Sequence, residues 1–189
     1  MKLKEYHRII NLSLKQEEYI ENFYQDKKIK YEEINCPLWD YNNFNILFVN
    51  DRYKIKQQTV MCNNCGLVYS NPRMNEQSTK YFYESDLYRN IYEGNDFIEQ
   101  HINELKNFNF IEPKNPNFDK YYENLYFDFI CSQNLDFKTV CDIGCGIGLK
   151  LMNFKHLNKQ IFGIEPSKNF SKAHKEYNLN VQQGFINDL

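Results

Sequence analysis

The chain has 189 residues, 42% of them hydrophobic and 25% charged, with a formal net charge of −2. That apolar supply is enough for a packed core and excludes global disorder. The near-neutral balance argues against nucleic acid as a general partner, and the length fits one domain or two small ones.

Fifteen Tyr and fifteen Phe accompany abundant Asn, Lys and Ile. These residues share AT-rich codons, so the aromatic clusters are not read as base-stacking platforms. The N-terminus turns polar and acidic at once, without the apolar core of a signal peptide. No stretch approaches the roughly 18 apolar residues of a membrane span. A soluble, cytoplasmic protein with no membrane partner is therefore expected. In a reducing compartment its six cysteines are thiols or metal ligands.

Residues 1–30 read as an amphipathic helix with Leu3, Tyr6, Ile10 and Leu14 on one face. Residues 31–75 change character. Short Tyr-, Phe- and Val-containing runs are broken at Asn42-Asn43, Asn63-Asn64 and Asn71-Pro72, which suggests a small β-rich module. Residues 76–116 return to helical spacing as a connector. Asp96 can cap a helix carrying Phe97, His101, Leu105 and Phe108. After Pro113 and Pro116, Asn117 can cap a helix with Phe118, Tyr122, Leu125 and Phe129 on one face. Residues 117–189 form the last domain. From Lys138 onward, strand, glycine loop, helix, strand and helix alternate, the pattern of parallel βαβ units.

In that stretch Thr139 to Ile143 reads as a buried strand running into Gly144-Cys145-Gly146-Ile147-Gly148. A helix with Leu151, Phe154 and Leu157 follows, then a strand from Gln160 to Glu165. The next element places Phe170, Ala173, His174 and Tyr177 on one face. Glycines allow a tight strand-to-helix turn and close approach of a ligand to the backbone. An acid ending the second strand can accept hydrogen bonds from ribose hydroxyls. A dinucleotide loop, Gly-x-Gly-x-x-Gly, would need glycine where Leu149 or Leu151 stands. Here the glycines alternate, and Asp142 precedes them. A carboxylate there repels a pyrophosphate but attracts the ammonium and sulfonium of S-adenosylmethionine.

Val140 to Gly148 resembles the first motif of class I methyltransferases. Gly163-Ile164-Glu165-Pro166-Ser167 resembles their second, and Val181 to Leu189 is similar to their third strand and its loop. The resemblance covers roughly 50 residues in the expected order. It implies an α/β, partial Rossmann-like fold with about three parallel strands present. It also implies that Gly144, Cys145 (through its backbone), Gly146 and Gly148 line the methionine part of the cofactor. Asp142 would order the amino group, Glu165 the ribose, and Pro166 would border the adenine. Phe185 stands where such proteins often have a polar residue, and would offer apolar contact or its amide.

Cys62-Asn63-Asn64-Cys65-Gly66 is a turn on which two thiolates can share one tetrahedral zinc. Cys36-Pro37-Leu38 begins like a partner turn, but Trp39 stands where a second cysteine is expected. Either Asp40 supplies a fourth ligand, or the site has decayed and Trp39 fills the space. Cys62 to Pro72 resembles the zinc-binding module that precedes the catalytic domain in a subfamily of sugar and natural-product methyltransferases. Cys131, Cys141 and Cys145 lack metal-type pairing and read as small thiols. The four histidines sit on predicted helices as packing or surface residues.

The function these features point to is methyl transfer from S-adenosylmethionine to a small metabolite, with a sugar nucleotide as the implied acceptor. The catalytic base is unassigned. Tyr83, Tyr88 and His101 lie in the connector that could form a lid. Rival readings are a non-catalytic zinc-knuckle interaction protein on a degenerate methyltransferase fold, and an RNA methyltransferase. The resemblance leads one to expect about five to seven strands, against three here. A fragment, a truncated product or one piece of an assembly is therefore expected, with weak cofactor binding and an exposed sheet edge.

Overall fold

A computed structural model describes residues 10–85, 87–94, 96–118 and 124–188. The chain divides into two compact units, Met1–Asn95 and Asp96–Leu189. The division falls inside the stretch read from sequence as one connector. None of the described helices is long and apolar enough to cross a membrane.

The first unit opens with helix α1 (Leu14–Gln25). Ser13 starts it by a reciprocal cap. Its hydroxyl accepts the Gln16 amide at 3.3 Å, and the Gln16 side chain accepts the Ser13 amide at 3.1 Å. Ile20 and Phe23, three apart, turn into the core. The expected apolar face is corrected. Leu3 and Tyr6 lie outside the described residues, and Leu14 is 86% exposed. Ile10 precedes the helix and donates its amide to the Arg52 carbonyl, so it cannot share a helical face with Leu14.

Five short strands follow: β1 (Tyr31–Glu32), β2 (Phe44–Phe48), β3 (Thr59–Cys62), β4 (Val68–Ser70) and β5 (Arg73–Met74). β2, β3 and β4 form an antiparallel sheet in that order, and β1 pairs with β5. The β-rich character expected for 31–75 is present. Helices α2 (Glu76–Glu84) and α3 (Leu87–Tyr92) then pack with α1. Their core holds Ile20, Phe23, Tyr53, Ile55, Phe82 and Ile91, with the Phe23 and Phe82 rings edge to face. Asp51 ties the β2–β3 loop to α3. One of its oxygens takes the Tyr53 and Ile55 amides, and the other takes the Tyr92 hydroxyl, each at 2.8 Å.

The second unit holds α4 (Phe97–Lys106), α5 (Leu125–Ser132), β6 (Thr139–Ile143), α6 (Leu149–His156), β7 (Gln160–Glu165), α7 (Ser171–Glu176) and β8 (Val181–Gln183). The three strands form a parallel sheet in the order β6, β7, β8. The described residues thus form a mixed helix and sheet protein with one parallel and two antiparallel sheets. β7 is the central strand, with Gly163, Ile164 and Glu165 buried. β6 lies at the edge, with Thr139, Cys141 and Ile143 exposed, so the expectation of a buried strand there is corrected.

Two helix starts differ from expectation. Asp96 precedes α4 but makes no side-chain cap bond. Asn117 lies in a loop, and the described helix begins at Leu125, after Asn124; Tyr122 is outside the described residues. Phe118 and Phe129 are exposed, whereas Phe127 and Asp128 are buried. The Asp128 carboxylate accepts the Lys114 amide at 3.1 Å, and Phe127 meets Phe154 edge to face. Those contacts turn that side of α5 inward.

The first core predicts a contrast between two positions on one helix. Phe23→Ala should lose about 3–5 kcal/mol, whereas Leu14→Ala should stay within about 0.5 kcal/mol of the parent. Urea unfolding followed by circular dichroism measures both.

Candidate functional site

In the second unit the glycine loop leaves the carboxyl end of β6 and enters α6. Gly144, Gly146 and Gly148 all have positive φ, at 77°, 55° and 87°. Such angles are costly for residues with a Cβ, which explains the alternation. The loop is bonded to β7. The Ile164 carbonyl takes the amides of Gly144 at 2.8 Å and Cys145 at 3.1 Å. Glu165 takes the Gly146 amide at 2.8 Å on one carboxylate oxygen and the Ser167 amide at 2.9 Å on the other. His174 Nε2 lies 2.8 Å from the Gly146 carbonyl, which requires that nitrogen to carry the proton and donate. Gly146 is therefore held through both of its backbone polar groups.

The sheet also demands glycine at 163. A Cβ there would come within 2.7 Å of Cys145 Sγ and 3.0 Å of Leu151 and Val181 side-chain carbons. Gly163 pairs with Asp142 in the β6–β7 register.

The electrostatics are set by two carboxylates near one loop. Burial pushes the Asp142 carboxyl above its usual range; Lys150 opposes the shift and Glu165 adds to it. Burial, with Glu165 and Asp142 behind it, drives the Cys145 thiol up to about 12. Burial lowers His174, against the Gly146 carbonyl and Glu165, both of which raise it. The loop therefore lies beside two carboxylates, with Lys150 acting against them at Asp142.

All the loop residues picked from sequence are brought together. Asp142 is the penultimate residue of β6; Gly144, Cys145, Gly146 and Gly148 form the turn; Glu165 closes β7, and Pro166 follows it. Glu165 is only 3% exposed and accepts the Gly146 amide of the loop and the Ser167 amide that follows its own strand, rather than standing free in a cleft. Phe185 follows β8 and donates its amide to Asp188 at 2.8 Å. Two residues were not picked as part of the site, His174 and Gly163. The helical spacing shows His174 on a buried face, but nothing in the sequence pairs it with Gly146.

In the first unit the early cysteines meet. One sulfur from each of Cys36, Cys62 and Cys65 lies within 4.8 Å of the others, and Cys36 and Cys65 are 3.5 Å apart. Cys36 and Cys62 are buried and Cys65 is exposed. Burial works against the Cys62 thiolate. The amides of Asn64 and Cys65 and the neighbouring thiols outweigh it and hold its pKa below the ordinary thiol value. Converging sulfurs served by amide donors are a donor set for a thiophilic cation such as zinc. The Tyr69 hydroxyl is buried without a hydrogen-bond partner, and its phenol feels all three thiols. Neither fourth-ligand expectation holds. The Asp40 carboxylate accepts the Asn35 side chain at 2.8 Å and is outside the sulfur cluster. Trp39 is 64% exposed and fills no space there.

The connector aromatics belong to packing. Tyr88 stacks on Tyr92 and meets Tyr83 and Phe82. His101 bonds the Phe97 carbonyl at 2.7 Å within its own helix. No protein-family model matches this sequence, and no curated protein matches it either.

Two measurements check this geometry. A thiolate-directed alkylating reagent at pH 8 should label exposed Cys141 in the folded chain and spare Cys145 until unfolding, as peptide mapping would show. His174 has a lowered folded pKa, so its stability contribution is present above its unfolded value of about 6.5 and lost as pH falls. His174→Gln should therefore show a flatter decline of melting temperature between pH 7 and pH 5 than the parent.

Proposed function

We propose that the chain is an S-adenosylmethionine-dependent methyltransferase unit, with a partial Rossmann-like domain in the second unit and a zinc-binding module in the first. The observation that carries this reading is the pair of carboxylates, Asp142 and Glu165, at the carboxyl ends of adjacent parallel strands around a loop of alternating positive-φ glycines. Open parallel sheets bind ligands at that end. A negative loop selects a cationic ligand over a dinucleotide.

S-adenosylmethionine supplies an electrophilic methyl group on its sulfonium. The chain's part is to hold and orient. Gly144 and Gly146 let the ligand approach the backbone, and Asp142 pairs with its ammonium. Glu165 divides its carboxylate between loop amides and ribose hydroxyls, which two oxygens with about four acceptor sites permit. Pro166 and Phe185 border the adenine. The acceptor is a small metabolite, with a sugar nucleotide suggested by the module that precedes the domain. Cys36, Cys62 and Cys65 hold the zinc.

Calorimetry with S-adenosylmethionine and S-adenosylhomocysteine tests the reading: both should bind saturably. Asp142→Asn should weaken S-adenosylmethionine at least about tenfold, the loss of one charged hydrogen bond. The same variant should melt higher than the parent at neutral pH. A carboxyl whose folded pKa is raised stabilises only in its protonated form, and that contribution is lost as pH rises. No saturable binding at millimolar ligand would sink the methyltransferase reading and leave the non-catalytic interaction module standing.

A further inference from the structure

The two cysteine turns of the first unit have the same backbone. In the first, the Cys36 amide donates to the Tyr41 carbonyl at 2.8 Å and the Cys36 carbonyl accepts the Asp40 amide at 2.8 Å. In the second, the Cys62 amide donates to Leu67 at 2.9 Å and the Cys62 carbonyl accepts the Gly66 amide at 2.9 Å. The spacings are identical, five residues and four. Each turn places its fifth residue in the left-handed region, Asp40 at φ 56° and Gly66 at φ 75°. An aspartate accepts that conformation only at some cost, whereas glycine adopts it freely. Superposing the turns residue by residue sets Cys36 on Cys62, and Trp39 on Cys65. Position 39 is thus the place from which a fourth thiolate would reach the cluster.

That place offers no donor. The Trp39 side chain lies in solvent, and the Asp40 carboxylate is taken by Asn35. Around it lies a surface hollow of about 580 Å³, lined in part by Cys36, Leu38, Trp39, Asp40 and Arg73. Cys36 lines this hollow together with Trp39, and Cys65 is the exposed member of the cluster. The Tyr69 hydroxyl is a buried donor without a partner beside the thiols. The coordination sphere is therefore incomplete on one side, and that side is open to solvent.

We infer that the three thiolates hold a thiophilic divalent cation whose fourth position lies at residue 39 and is filled from outside the chain by a small neutral nitrogen donor. Three thiolates on a divalent ion leave one net negative charge, so a neutral donor completes the site without further charge build-up. A four-thiolate site is closed and structural, whereas a site with three protein ligands keeps an exchangeable position. The inference stands apart from the cofactor reading, and its test uses no cofactor.

Cobalt(II) added to the full-length metal-free chain reads both ligand number and openness. The parent should bind one equivalent, and imidazole should shift its visible bands. Trp39→Cys should raise the near-ultraviolet sulfur-to-metal band by about one third, from three thiolates to four, and imidazole should no longer move its visible bands. Zinc competition against a chelator should show that variant binding at least about tenfold tighter. No cobalt uptake by the parent, a parent spectrum indifferent to imidazole, or an unchanged sulfur band in Trp39→Cys would each overturn the inference. Should Trp39→Cys not fold, Trp39→Ala must bind cobalt with the parent's band intensity and keep its response to imidazole; a change in either would show that the indole itself occupies the position.

Discussion

Gly146 is gripped on both sides of its Cα, its N–H by the Glu165 carboxylate and its C=O by the His174 imidazole. The shape of the loop follows from that grip. Glu165 ends β7 and His174 lies on α7, so one residue ties the loop to both the strand and the helix that come after it. A charged acceptor makes the stronger of these bonds, and the surrounding burial strengthens it further. Gly163 completes the arrangement by letting Cys145 and Leu151 close onto the strand.

Much of this was legible in the sequence because it rests on short-range rules. The strands Thr139–Ile143 and Gln160–Glu165 have the extents that their apolar runs and flanking glycines dictate. The buried face of Phe170, Ala173 and His174 follows from helical spacing. The convergence of Cys62 and Cys65 follows from their turn, and Cys36 joins them across 29 residues as its matching turn suggests.

What was not legible depends on partners distant in sequence or on where a helix starts. Ile10 and Leu14 are correctly spaced for one face, but the Ser13–Gln16 cap starts the helix between them. Phe129 is correctly spaced on α5, yet the bond from Lys114 to Asp128 turns a different side inward. Glu165 was readable as an acid at a strand end. That it would accept the Gly146 and Ser167 amides was not, since either amide or ribose hydroxyl satisfies a carboxylate equally well. The fate of Trp39 needed coordinates too, because an aromatic residue can equally fill a cluster or leave it.

The paired cysteine turns have a hereditary consequence. Their backbone bonds run through the carbonyl of Cys36 and the amides of Trp39 and Asp40, so the side chain at 39 takes no part in shaping the turn. Tryptophan and cysteine codons differ by a single base. One point mutation can therefore switch this module between three and four sulfurs while the scaffold stays as it is. Selection can act on the chemistry at that position almost independently of folding.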